Sequence, residues 1–146
     1  MGRIVVGVDG SAGSKHALEW AVQQARLTGD SLDVMTSWEI PTWAVTSSAT
    51  GGTEPPMDID YVGEAKRQLQ ETVAEVLGDS TGLTVREVIL EGHPATALVK
   101  AADDADLLVV GSRGHGEFTG MLLGSVSMYV STHATCPVVI MRSKTS

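Results

Sequence analysis

Cysteine is nearly absent from these 146 residues: Cys136 stands alone, so an internal disulfide framework is excluded. With Pro137 and an apolar run after it, Cys136 reads as a small buried or strand-start residue. Long hydrophobic runs are also missing. No stretch approaches the roughly 18 apolar residues of a membrane span, so a membrane partner is not expected. An apolar content of 42% and a mean hydropathy of +0.09 instead describe an ordinary globular chain with the size of one domain, residues 1–146. The apolar part of Met1 to Asp9 is too short for a secretory signal, which points to the cytoplasm.

Positive charge is scarce: 10 Lys and Arg stand against 18 Asp and Glu, a formal net charge of −8. Such a chain repels a polyanion at long range, and no nucleic-acid partner is expected. A small phosphate ligand is compatible with that charge, because local amides and a few cations build its site; Mg²⁺ would offset the repulsion. Catalytic signatures are missing as well. There is no Gly-x4-Gly-Lys-Ser/Thr run, and Gly114-x-Gly116 is followed by Thr119 where the dinucleotide motif needs glycine. His16, His93, His115 and His133 lack metal-ligand spacing, and His16 and His133 read as helix-surface or packing residues. Asp103-Asp104-Ala105-Asp106 reads as a solvated acidic turn.

What is present is a strict alternation. Ile4 to Val8 is a β-branched run ending in Asp9-Gly10-Ser11-Ala12-Gly13-Ser14, whose hydroxyls can cap a helix. Ala17, Leu18, Ala21, Val22 and Ala25 then keep one helical face apolar up to Thr28-Gly29-Asp30. A second strand is predicted over 32–38 and a long surface loop over 39–56, rich in Gly, Pro, Ser and Thr. Val62, Ala65, Leu69, Val73 and Val76 predict a second helix that Gly78 ends. Residues 83–89 alternate partly and suit a sheet edge. Pro94 opens a third helix carrying Ala97, Leu98, Ala101 and Ala102, and residues 107–110 are apolar on both faces, as a central strand is. A fourth helix starts near Gly124, and a fifth strand is predicted over 137–141. Strands alternating with helices give an α/β, doubly wound parallel sheet with helices on both faces. In such sheets ligands sit beyond the carboxyl ends of the strands where the winding reverses, and the loops after Asp9 and Gly111 look built for one.

The spacing Gly111-x2-Gly114-x9-Gly124-Ser125 is the layout of a phosphate site. Glycines let backbone amides approach an anion, Arg113 offers a bidentate fork, and a helix opening at Gly124 presents free amides beside the Ser125 and Ser127 hydroxyls. His115 is a further donor. A plain tight turn would also explain Gly111 to Gly114. Asp9 can bind Mg²⁺ or a ribose hydroxyl, or simply cap a helix. Trp38 and Trp43 can wall a base pocket or pack in a core or lid.

In that strand-loop-helix context the glycine spacing resembles the universal stress protein family. The resemblance runs along the whole chain: Ile-Val-Val-Gly-Val-Asp-Gly-Ser at 4–11, Glu91-Gly92-His93-Pro94, Ala105 to Gly114, and Cys136-Pro137-Val138-Val139. It implies a five-stranded sheet in the order 3-2-1-4-5, similar to adenine nucleotide α-hydrolase folds, with ATP bound by members that keep the glycine motif. By resemblance the triphosphate lies on Gly111, Arg113, Gly114, His115, Gly124, Ser125, Val126 and Ser127. Asp9 and Gly10 would face ribose and metal, and backbone near Ser37 would receive adenine. The family tends to dimerise through its last strand, and Val138 to Met141 is itself an apolar strand at a sheet edge. The expectation is an ATP-binding, homodimeric stress-response regulator with at most slow ATPase activity, since no general base is evident. A flavodoxin-like FMN carrier and an interaction module with a structural glycine loop are the alternatives.

Overall fold

The computed structural model describes residues 2–39, 60–78, 82–113 and 123–142. The elements run β1 (Arg3–Gly7), α1 (Ala12–Thr28), β2 (Ser31–Trp38), α2 (Tyr61–Leu77), β3 (Val85–Glu91), α3 (Pro94–Ala101), β4 (Leu107–Gly111), α4 (Ser125–His133) and β5 (Val138–Met141). The strands form one five-stranded sheet in the order β3-β2-β1-β4-β5, every neighbouring pair parallel. Both the fold class and the strand order expected from the sequence are met.

Side-chain alternation along β1 separates two cores. Ile4 and Val6 point to the face covered by α1 and α2, where they meet Leu18, Ala21, Leu32 and Leu69. Val5 points to the other face, toward Met35, Leu98, Leu108 and Val130 beneath α3 and α4. Strands buried on both sides need apolar residues at every position, which is why β1 and β4 are near-continuous runs.

Local chemistry sets the helix ends. The Ser11 hydroxyl accepts from Ser14 N at 3.2 Å and caps α1. At its other end Gly29 takes φ 77°, and its N–H donates to Ala25 O at 2.8 Å. Asp60 caps α2 by accepting from Gly63 N. Most of the expected α2 face is met, with Leu69 buried and Val73 and Val76 packed on the same core, but Val62 is 42% exposed and Thr72 is buried beside Leu69. Helix α3 likewise buries Ala95 and Leu98, with Ala97 only half-buried. β3 begins two residues later than predicted, at Val85, and extends to Glu91. The 40–56 part of the expected loop, Trp43 included, lies outside the described residues.

The acidic turn before β4 is more than a solvated run. Asp106 Oδ2 accepts from Arg3 N at 2.7 Å, and Asp104 pairs with the Arg3 guanidinium. Arg3 also donates to buried Asp33 at 2.8 Å, and Arg86 donates to the same Asp33 oxygen at 2.7 Å. Partial burial works against the Arg3 charge, but its hydrogen bonds to Asp33 and Asp104 prevail and hold the guanidinium above its ordinary range. These pairs fasten the amino-terminal end of the sheet, opposite the end considered next. Among the described residues no helix is long and apolar enough to cross a membrane.

Candidate functional site

Beyond the carboxyl ends of β1, β2 and β4 lies a cavity of about 300 Å³. Order reverses between β1 and β4, so the two following loops part and leave the crevice between them. Its floor is apolar, with Met35, Leu98, Val110 and Val126; its polar rim carries Asp9, Ser37 and Arg113.

The β1 side is built by a turn that consumes most of its own polar atoms. Val8 N donates to Met35 O at 2.8 Å, which carries the chain alongside β2 past the end of β1. Gly10 then adopts φ 83°, a left-handed conformation that turns the chain into α1. Asp9 Oδ1 accepts from Ser11 N at 2.9 Å, Ser14 Oγ accepts from Asp9 N at 3.2 Å, and Ser14 Oγ donates to Ser11 O at 3.0 Å. Asp9 therefore lines the cavity while also shaping the turn, and the capping of α1 falls to Ser11 instead.

On the β4 side, a Cβ placed on Gly111 would lie 2.9 Å from Gly13 C and 3.0 Å from Gly13 O. The first turn of α1 rests directly on the end of β4. Gly111 is thus a close-packing glycine whether or not an anion approaches it. Gly124 N donates to Ser112 O at 2.6 Å, and the buried Ser127 Oγ donates to the same oxygen at 2.7 Å, which closes the base of the intervening loop. The Ser127 hydroxyl, expected to face an anion, is committed to that closure. Gly124 starts α4 without a side-chain cap, and Gly124, Val126 and Ser127 line the cavity at this helix start.

Of the residues singled out from sequence, Asp9, Ser37, Gly111, Arg113, Gly124, Val126 and Ser127 line this one cavity. Gly10 and Ser125 adjoin it in the chain, while Gly114 and His115 lie outside the described residues. Trp38 lines it too, and Gly92 N holds the end of β2 by donating to Trp38 O at 2.8 Å. No sequence motif connected Gln68 of α2 or Leu98 of α3 with the cavity, yet both line it. They belong to helices whose periodicity announces packing alone. His93 caps α3 through Nδ1, which accepts from Ala95 N at 3.2 Å. Burial pushes the Cys136 thiol up, which keeps it in the unreactive protonated form. Among the described residues no group of three or more His, Cys, Asp or Glu side chains could hold a metal ion.

Comparison with known proteins bears on what such a cavity accommodates. The sequence model of the universal stress protein family matches residues 1–142. A universal stress protein of Mycolicibacterium smegmatis is 35% identical over 140 residues, covering 94% of this chain and 47% of that protein. The chain thus spans about half the length of the curated relatives it matches. Among solved structures, a universal stress protein in complex with cAMP is 29% identical with a TM-score of 0.70, each chain 96% covered. One from Archaeoglobus fulgidus in complex with dAMP is 27% identical with a TM-score of 0.69, covering 97% of this chain and 98% of that one.

Proposed function

Because this chain belongs to the universal stress protein family, we propose that its cavity holds an adenine nucleotide, ATP with Mg²⁺, and that occupancy regulates the protein. The observation that carries the reading is the meeting, at one crevice beyond β1 and β4, of Arg113 with the uncapped first turn of α4. Main-chain amides at a helix start, the positive end of a helix dipole and a guanidinium suit a polyphosphate in a protein of net charge −8. The apolar floor suits a base, and relatives in complex with cAMP and dAMP support adenine.

In this reading the phosphates lie along Gly111, Arg113, Gly114, His115, Gly124, Ser125, Val126 and Ser127, with Ser127 contributing its main-chain amide because its hydroxyl is engaged. Adenine is received by backbone near Ser37, and the ribose faces Asp9 and Gly10. With Asp9 and Glu39 the two carboxylates among the cavity's lining residues, Mg²⁺ is held chiefly by phosphate oxygens, Asp9 assisting. The chain's residues bind and orient rather than catalyse. Among the described residues none is placed as a general base for water, and on this reading hydrolysis is slow at most. The reading extends to a cytoplasmic homodimer paired through residues 138–141, with neither nucleic acid nor membrane as partner.

Binding to the native state alone raises stability by about 2.7 kcal/mol at a hundredfold excess over Kd. Nucleotide-free protein titrated with ATP and Mg²⁺ should therefore show saturable heat and a rising Tm, and denaturation of the purified protein should release adenine nucleotide on chromatography. Absence of both co-purified nucleotide and saturable binding would overturn the proposal.

A further inference from the structure

Gln68 belongs to α2, a helix that no motif connected with the site, yet it lines the cavity. Its side-chain Nε2 lies 2.6 Å from the position a Cβ on residue 10 would occupy, and its Cδ 3.1 Å from that position. Gly10, whose φ of 83° favours glycine, leaves room for the amide there. Gln68 is exposed, and its amide lies against the Asp9-Gly10 turn, while the main chain beneath it is fixed: Leu69 is buried, and Gln68 O accepts from Thr72 Oγ1 at 2.9 Å.

The amide joins a donor and an acceptor at one tip. Among the described residues neither atom has a hydrogen-bond partner, in contrast to the Ser11 and Ser14 hydroxyls nearby, which the turn uses. Asp9 is acceptor-only when ionised, and its Oδ1 already receives Ser11 N. A sugar hydroxyl needs a group that both donates and accepts, and Gln68 presents one beside the turn that faces the sugar. Resting on the nucleotide reading given above, we propose that Gln68 reads the ribose, its amide oxygen accepting from one hydroxyl and its Nε2–H donating to the neighbouring one. The residue is a specificity determinant that selects ribonucleotides over deoxyribonucleotides.

The test is a calorimetric cycle of ATP, 2′-deoxy-ATP and 3′-deoxy-ATP, each with Mg²⁺, against the wild type, Gln68→Ala and Gln68→Met. Gln68 is exposed on its helix, and both replacements are good helix formers, so the variants keep the fold; matching circular dichroism melts check this. Losing a neutral hydrogen bond predicts that at least one deoxy analogue binds the wild type roughly three- to tenfold more weakly than ATP. In both variants ATP should fall to the affinity of that analogue, and the sugar preference should vanish. A preference that persists in the variants, or an equal weakening of all three ligands, overturns the role of Gln68 while the nucleotide site stands. If the wild type binds none of the three, both the nucleotide reading and the role of Gln68 fall.

Discussion

At Gly111 the absent side chain is itself a structural contact. A Cβ there would press on the Gly13 carbonyl group, backbone that cannot rotate away, whereas a Cβ on Gly7 would meet the Leu98 Cδ1 methyl at 2.6 Å, the far end of a flexible side chain. Neither glycine has a positive φ, so crowding alone separates them. Gly111→Ala should therefore cost about 1–3 kcal/mol by lifting α1 from β4, and Gly7→Ala should fall at or below the low end of that range, since Leu98 can change rotamer. Urea unfolding midpoints with m-values check both; a Gly7 variant less stable than the Gly111 variant would contradict the argument. The same residue shows the limits of reading a sequence. Gly111 was legible as a glycine that must be there, because it ends an apolar strand and begins a polar turn. Its partner Gly13, 98 positions earlier in numbering, was not legible, because only the fold brings the two together.

Elements follow the same division between local and distant causes. The order of strands and helices could be read because β-branched runs, Ser11 at the start of α1, Gly29 at its end and Pro94 at the start of α3 all act within a few residues. The α2 face was misread at Val62, because burial at a helix end depends on where the neighbouring layer stops. Gln68 stayed invisible for a related reason: a lone amide on an exposed helix face has no period. Helix α4 gives the division a test. Ser127 is buried and fastens Ser112 O, while Ser125, next to the uncapped Gly124, is exposed. Ser127→Ala should lower stability by about 1 kcal/mol through the lost hydrogen bond. Ser125→Ala should leave stability nearly unchanged and weaken ATP by roughly three- to tenfold. Parallel thermal melts and calorimetric titrations read both quantities. A Ser125 variant that binds ATP as tightly as the wild type would remove this residue from the proposed phosphate site.

Across the whole molecule the two sheet edges are unlike. β3 forms one edge and carries exposed Arg86, Glu87 and Glu91, charges that discourage pairing with another strand. β5 forms the other edge and reads Val-Val-Ile-Met without a charge. Its side chains are not an open apolar face: Val139 and Met141 pack on one core, Val138 and Ile140 on the other. What the edge offers is backbone. Leu108 N donates to Pro137 O at 2.9 Å and Ser112 N to Met141 O at 2.7 Å, so odd-numbered residues of β5 spend their amides and carbonyls on β4. In a parallel ladder the groups of residues 138 and 140 then point outward. A two-fold axis beside the edge would pair two copies of β5 antiparallel, each satisfying the other. Proline at 140 deletes one outward donor and leaves the β4 ladder intact. Ile140→Pro should therefore convert a dimer into a monomer in sedimentation velocity, with the secondary structure retained by circular dichroism and ATP still bound, since the cavity lies beyond the ends of β1 and β4 rather than at this edge. A wild type that sediments as a monomer, or a folded proline variant that remains dimeric, would show that the edge does not pair.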